Sequence, residues 1–239
     1  MRVNLQLSPN FSNKSRPENN IKFIIIHYTG MQSEIESINR LKSKKSRVSC
    51  HYLINRKGNI IKMVPDNKIA WHAGKSKWKN FNNLNKSSIG IELVNKGHKF
   101  GYQNFTKSQI ASLLKLCKKL KRKYRIKKFN FLGHSDISPN RKIDPGEKFP
   151  WKKLSKFNFG MWYKIKKTKP KIIENKKLNT LFFKNLYKVG YRYFNVNRRA
   201  KKDMLVVKAF QQRFNPLNIT GYVDKKTFEI CKFLAINRN

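Results

Sequence analysis

The chain has 239 residues, 39% of them hydrophobic and including 17 Phe and 9 Tyr, which is enough for a packed core and excludes a disordered polycation. No run of about 18 apolar residues occurs, so no membrane-spanning helix is expected. The formal net charge of +43 raises nucleic acid as a partner, but the lysines are spread along the whole chain, and the preferred reading is a solvated basic surface with no specific nucleic-acid site.

Residues 1–20 are polar, carry Pro9 and Pro17, and read as an irregular lead-in. They lack the apolar stretch and cleavage site of a secretory signal, so a cytoplasmic location is expected, with a periplasmic or wall-associated one as the alternative. Cys50, Cys117 and Cys231 are far apart and odd in number, which fits reduced, unpaired thiols. The β-branched run 21–26 predicts a buried central strand. It ends at His27, which is either a capped core histidine or a group placed where α/β sheets put chemistry. Residues 33–41 predict a short helix with Ser33 as N-cap and Ile35, Ile38 and Leu41 on its apolar face. Residues 48–55 and 60–64 predict a hairpin, with His51 facing the interior.

Trp71 and His72 follow in a loop, with Trp78 close behind. They suit either a groove that stacks on a ligand or a loop anchored by buried aromatics. Residues 87–95 predict a strand in which Glu92 sits between Ile91 and Leu93. A carboxylate there is costly to bury alone, so it is an edge group facing water or a functional one. The clearest helix spans 106–124, with Ile110, Leu113, Leu114, Cys117, Leu120 and Tyr124 at three- and four-residue steps and a Thr106–Gln109 capping box.

Residues 128–132 predict a strand that delivers His134 into the segment 133–146. Gly133, Pro139, Asn140, Pro145 and Gly146 break any continuous helix or strand there. The segment holds His134, Lys142 and Asp144, and by itself fits half a metal site or an ordinary polar loop. The expected organisation is a first domain at 1–165, a Lys-rich linker at 166–178 and a helical unit at 179–239. The last has helices near 181–187 and 202–214 and one capped by Asp224; so few residues hold only a small core. All five histidines precede the linker, so chemistry is expected there and binding in the second unit.

His27 and His134 each follow a buried strand, and adjacent strands lie about 4.8 Å apart. Two such ends can converge on one ion, with Asp144 as a third ligand. Catalytic zinc takes three protein ligands of this type and leaves a position for water. Amide hydrolysis then needs a base and a cation for the oxyanion. Glu92 and Lys142 are groups of the right type.

The segment from Gly133 to Gly146 resembles the signature loop of the zinc-dependent N-acetylmuramoyl-L-alanine amidases of type 2, in the AmpD/AmiD branch. The likeness extends over about residues 20–160, through Ile26-His27-Tyr28-Thr29, His51-Tyr52-Leu53-Ile54, Trp71-His72-Ala73-Gly74 and Ser88-Ile89-Gly90-Ile91-Glu92. It implies an α/β fold with a central mixed β-sheet flanked by helices. It also implies zinc (Zn2+) on His27, His134 and Asp144, with Glu92 and Lys142 as catalytic groups. In that pattern His72 falls at a substrate-groove position; Trp71, Asn95 and Arg141 are further substrate-binding candidates, Trp71 with Trp78 against sugar or peptide and Arg141 against a stem carboxylate, with a plain surface role as the alternative for Arg141. Cys50 stands where the phage and recognition-protein branch has tyrosine, and Asp144 where that branch often has cysteine. The residues 207–214 and 220–227 resemble a three-helix peptidoglycan-binding domain. Peptidoglycan or muropeptides are the implied partners, and a monomer is expected. The alternative is a non-catalytic peptidoglycan-recognition protein that keeps a zinc site.

Overall fold

The computed structural model describes residues 3–166, 172 and 175–237. In chain order the strands are β1 (Val3–Leu5), β2 (Phe11–Ser12), β3 (Phe23–Tyr28), β4 (Tyr52–Ile54), β5 (Ile60–Lys62), β6 (Ile69–Ala70), β7 (Lys77–Trp78), β8 (Phe81–Asn82), β9 (Ser88–Leu93) and β10 (Phe131–Gly133). The helices are α1 (Glu34–Lys42), α2 (Lys107–Tyr124), α3 (His134–Ile137), α4 (Trp151–Ser155), α5 (Lys176–Val189), α6 (Asp203–Phe214) and α7 (Lys225–Ile236).

Six strands form one mixed sheet in the order β1-β5-β4-β9-β3-β10, parallel throughout except for the β4–β5 hairpin. The side-chain period of two divides β3 between two cores. Ile24 and Ile26 face α2, whose Ile110, Leu113, Leu116, Cys117 and Leu120 cover them together with Ile89 and Ile91. Phe23 and Ile25 face the other way and share a cluster with Leu132, Ile137 and residues of α5–α7, among them Phe182, Leu186, Val206 and Phe210. The sheet is therefore covered on both faces, as mostly parallel strands require.

Local signals hold at most helix starts. Ser33 Oγ accepts the Glu36 N–H, Thr106 and Gln109 form the capping box, and Asp224 accepts the Thr227 N–H. Four local readings differ. Residues 1–20 contribute the edge strand β1 and the two-residue β2, the latter paired with β6. Ile35 is exposed, because α1 rests on the sheet only through its Ile38 and Leu41 side. Residues 128–130 form one 3-10 turn before a strand of three residues. Helix α5 begins at Lys176, capped by Asn175 inside the stretch read as linker, of which 167–171 and 173–174 lie outside the described residues. Among the described residues no helix is long and apolar enough to cross a membrane.

Candidate active site

Sheet register brings the distant residues together. On the parallel pair β3–β9, His27 lies directly beside Glu92. On the pair β3–β10, Ile26 lies beside Gly133, so His134 leaves the sheet at the level of His27. One row across three strand ends thus carries Glu92, His27 and His134. The turn that follows brings the chain back: the Ser135 N–H donates to Asp144 O at 2.9 Å, which closes the segment between the two residues. His27 Nδ1 is 3.0 Å from both His134 Nδ1 and Asp144 Oδ2, and His134 Nδ1 is 3.1 Å from the same oxygen. All three residues are buried.

The surrounding hydrogen bonds decide which ring nitrogens carry protons. Ser88 Oγ donates to Leu84 O at 2.5 Å, so it accepts from His72 Nε2–H at 3.2 Å. His72 Nδ1 is then a lone pair and accepts the His27 Nε2–H at 3.0 Å. That leaves His27 Nδ1 unprotonated and aimed at Asp144. Likewise His134 Nε2–H donates to Ala73 O at 3.1 Å, which frees its Nδ1. Two imidazole lone pairs and a carboxylate oxygen therefore face one point with no proton among them. Ligand atoms on a tetrahedral zinc sit about 3.3 Å apart. The donor set and its spacing fit a metal ion, and a backbone carbonyl or second histidine on each ligand's far nitrogen is the support such a ligand uses.

Electrostatics agree. Burial, then the neighbouring His134, lowers the pKa of His27 to about 4, so its ring is neutral and able to ligate at neutral pH. Burial alone would raise Asp144, but His134 and His27 together hold it well below the usual carboxylate range. Glu92 goes the other way: burial, reinforced by the Asp144 charge and opposed by Lys142, raises it to about 8. Its Oε2 is shielded and has no hydrogen-bond partner. An unpaired carboxylate oxygen beside a ligand row is what a proton-transferring group needs.

The row opens into a cleft of about 610 Å³ lined by Trp71, Glu92, Arg141, Lys142 and the three ligand candidates. Of the other expected substrate positions, His72 reaches the cleft but is buried, held between His27 and Ser88. Arg141 lines the cleft while its guanidinium donates to Ala73 O at 2.5 Å and Lys75 O at 3.0 Å, pinning the neighbouring loop. Asn95 is turned into its own loop, donating to Gln103 O at 2.8 Å and accepting the Gly97 N–H at 3.0 Å. Trp78 is buried against Tyr191, so of the two tryptophans only Trp71 faces the cleft. His51 is buried, and its Nδ1 accepts the Gly90 N–H at 3.0 Å.

Sequence reasoning missed a second wall. Glu147 accepts the His98 Nε2–H at 3.0 Å, so His98 Nδ1 accepts the Tyr28 O–H at 2.9 Å. Tyr28, His98 and Lys99 all line the cleft. His98 was countable as a histidine, but it lies in a loop with no periodic context; only Tyr28, directly after His27, had a sequence signal.

Two histidines and a carboxylate that could hold a metal ion, set at the ends of sheet strands with the half-buried Glu92 beside them, are the equipment of a hydrolase. Residues 17–147 match the model of the family described as N-acetylmuramoyl-L-alanine amidase, and the chain belongs to that family and is an amidase. It is 33% identical to the N-acetylmuramoyl-L-alanine amidase AmiD of Escherichia coli over 90% of this chain and 82% of that one. It is 35% identical to the 1,6-anhydro-N-acetylmuramyl-L-alanine amidase AmpD of Haemophilus influenzae over 61% of this chain and 86% of that one. Among solved structures, AmiD of E. coli in complex with anhydro-N-acetylmuramic acid-L-Ala-D-gamma-Glu-L-Lys superposes with a TM-score of 0.80 at 31% identity, covering 93% of this chain and 91% of that one.

Proposed function

We propose that the chain is a zinc hydrolase that cuts the amide between the lactyl group of N-acetylmuramic acid, or its anhydro form, and the L-alanine of the stem peptide, in cell-wall turnover or recycling. The meeting of His27 Nδ1, His134 Nδ1 and Asp144 Oδ2, with Glu92 in register beside His27, carries this reading. The anhydromuramoyl peptide held by the AmiD structure supports the substrate class.

Bound at those three residues, zinc would polarise the scissile carbonyl and acidify a water. Glu92 takes the proton from the attacking water at its unpaired Oε2. A carboxylate raised to about 8 is a stronger base than a free glutamate and can return that proton to the leaving alanine nitrogen. The proton count closes on Glu92: the water oxygen adds to the carbonyl carbon to give a tetrahedral oxyanion, and its collapse breaks the C–N bond as Glu92 hands the proton to the departing nitrogen. Lys142, on the same cleft, sets a fixed positive charge toward the developing oxyanion. Trp71 offers its face to sugar or peptide, while Arg141 holds the loop that supplies the Ala73 carbonyl. Helices α5–α7 are proposed to contact peptidoglycan.

The test is incubation with soluble anhydro-muropeptides and with polymeric sacculi, with zinc or after chelation, reading products by mass spectrometry. Free stem peptide is expected with zinc and not after chelation. Its absence from both substrates in the presence of zinc removes the reading.

A further inference from the structure

Asp136 stands two residues after His134, inside the one-turn helix α3, and is buried. Its Oδ2 accepts the Gly133 N–H at 2.8 Å and pairs with the Arg213 guanidinium, while its Oδ1 accepts the Tyr191 hydroxyl. Arg213 belongs to α6 and Tyr191 follows α5. The second terminal nitrogen of Arg213 donates to Phe131 O at 3.0 Å, on the strand that delivers His134. One guanidinium therefore holds both the strand before the ligand and the turn after it. It also stacks at 4.0 Å on Trp151, and the same indole closes over Gly133, where an added Cβ would stand 3.4 Å from its edge. On Gly133's other side a Cβ would meet Pro145, the neighbour of Asp144, at 2.7 Å.

Removing charges from water is expensive, and a buried ion pair is seldom retained for stability alone. This one is fully enclosed and spans 77 residues of sequence. It joins the C-terminal helices to the backbone of a single ligand turn. We propose that Arg213 and Tyr191 are positioning residues for the metal site: through Asp136 they fix the direction in which His134 presents Nδ1. On this reading α5–α7 form part of the hydrolytic apparatus, whatever else they bind. The inference rests on the assignment of His134 as a metal ligand.

The experiment uses the full chain and three variants: Tyr191→Phe, Arg213→Met and, as a control, Phe182→Leu, a core change in α5 whose ring partners are Phe183 and Phe210. Zinc affinity is measured by competition with a chromophoric chelator. Cobalt-loaded protein is read by its visible d–d absorption, and kcat and KM are taken on a soluble anhydro-muropeptide. Tyr191→Phe keeps the ring and removes one hydroxyl. It should weaken zinc binding about 10-fold, the low end for a lost supporting contact, alter the cobalt spectrum and lower kcat with KM within about twofold. Arg213→Met should do more in the same directions. Phe182→Leu should lose thermal stability and keep wild-type affinity and spectrum. Wild-type affinity and spectrum in Tyr191→Phe overturn the proposal, as does an equal loss in Phe182→Leu. A wild-type chain that neither binds zinc nor releases stem peptide overturns the ligand assignment itself, and the proposal with it.

Discussion

Gly90 lies at the middle of β9 with both its backbone polar groups bound to His51: its N–H donates to His51 Nδ1 at 3.0 Å and its carbonyl accepts the His51 N–H at 3.0 Å. The His72 ring rests directly on it. A Cβ at residue 90 would meet His72 Cγ at 2.4 Å, about 1 Å short of ordinary contact. The strand is pinned, so in Gly90→Ala the ring must give. A shift of about 1 Å takes its 3.0 Å bond to His27 Nε2 out to roughly 4 Å, where it no longer counts as a hydrogen bond. Overpacking of this kind costs about 1–3 kcal/mol. For a chain of this size that is roughly 2–10 °C in Tm. Loss of a ligand's supporting contact adds about a 10–100-fold drop in metal affinity. A thermal melt of metal-free protein and a zinc competition titration read the two effects separately. If Gly90→Ala binds zinc as tightly as wild type, the chain from Ser88 through His72 to His27 does not orient the ligand, and the reasoning fails.

Glu92→Gln should keep zinc affinity yet lose about 10²–10⁴ in kcat, the usual contribution of a general base; near-normal turnover removes Glu92 from the mechanism. Lys142 opposes the rise in the Glu92 pKa, so Lys142→Met should move the acid limb of kcat/KM to higher pH as well as lower kcat by about 10²–10³; a limb that stays or moves to lower pH refutes the pairing. Trp78→Ala should cost about 3–5 kcal/mol of stability, as for any buried aromatic, while Trp71→Ala should leave Tm within a few degrees and raise KM. The opposite pattern would return Trp78 to the cleft. Burial, with His134 beside His27 and Arg16 beside His51, lowers those two imidazoles to about 4 and about 3, below their unfolded value near 6.5. The unfolded chain then binds more protons at these two rings, so their contribution to stability is full above about pH 6.5 and is lost as pH falls toward 4, and two rings outweigh the single opposite contribution of Glu92, raised to about 8. Metal-free protein followed by thermal melts should show Tm falling over that window; a Tm that rises on acidification contradicts the burial of both rings.

The parts of this site legible in the sequence are those whose local context is improbable without a function. Glu92 stands out because a lone carboxylate in an apolar run needs a reason. His27 stands out because a β-branched run ends on it. What brings them side by side is the pairing of β3 with β9, a property of two segments more than sixty residues apart that neither segment encodes alone. Trp78 and His72 mislead for the same reason: whether an aromatic in a loop faces ligand or core depends on what packs behind it, and behind Trp78 is Tyr191. β1 escaped notice because an edge strand with Asn4 at its centre carries no apolar alternation and takes its order from β5. Arg213 is the extreme case. In sequence it is one basic residue among 55, on a helix whose apolar stripe accounts for its fold without it. Its role is visible only because burial is so costly for a guanidinium that its partner must be sought, and the partner lies in the turn that begins with His134. A charge excess spread over a whole surface therefore hides the few cations that matter, and enclosure, not count, separates them.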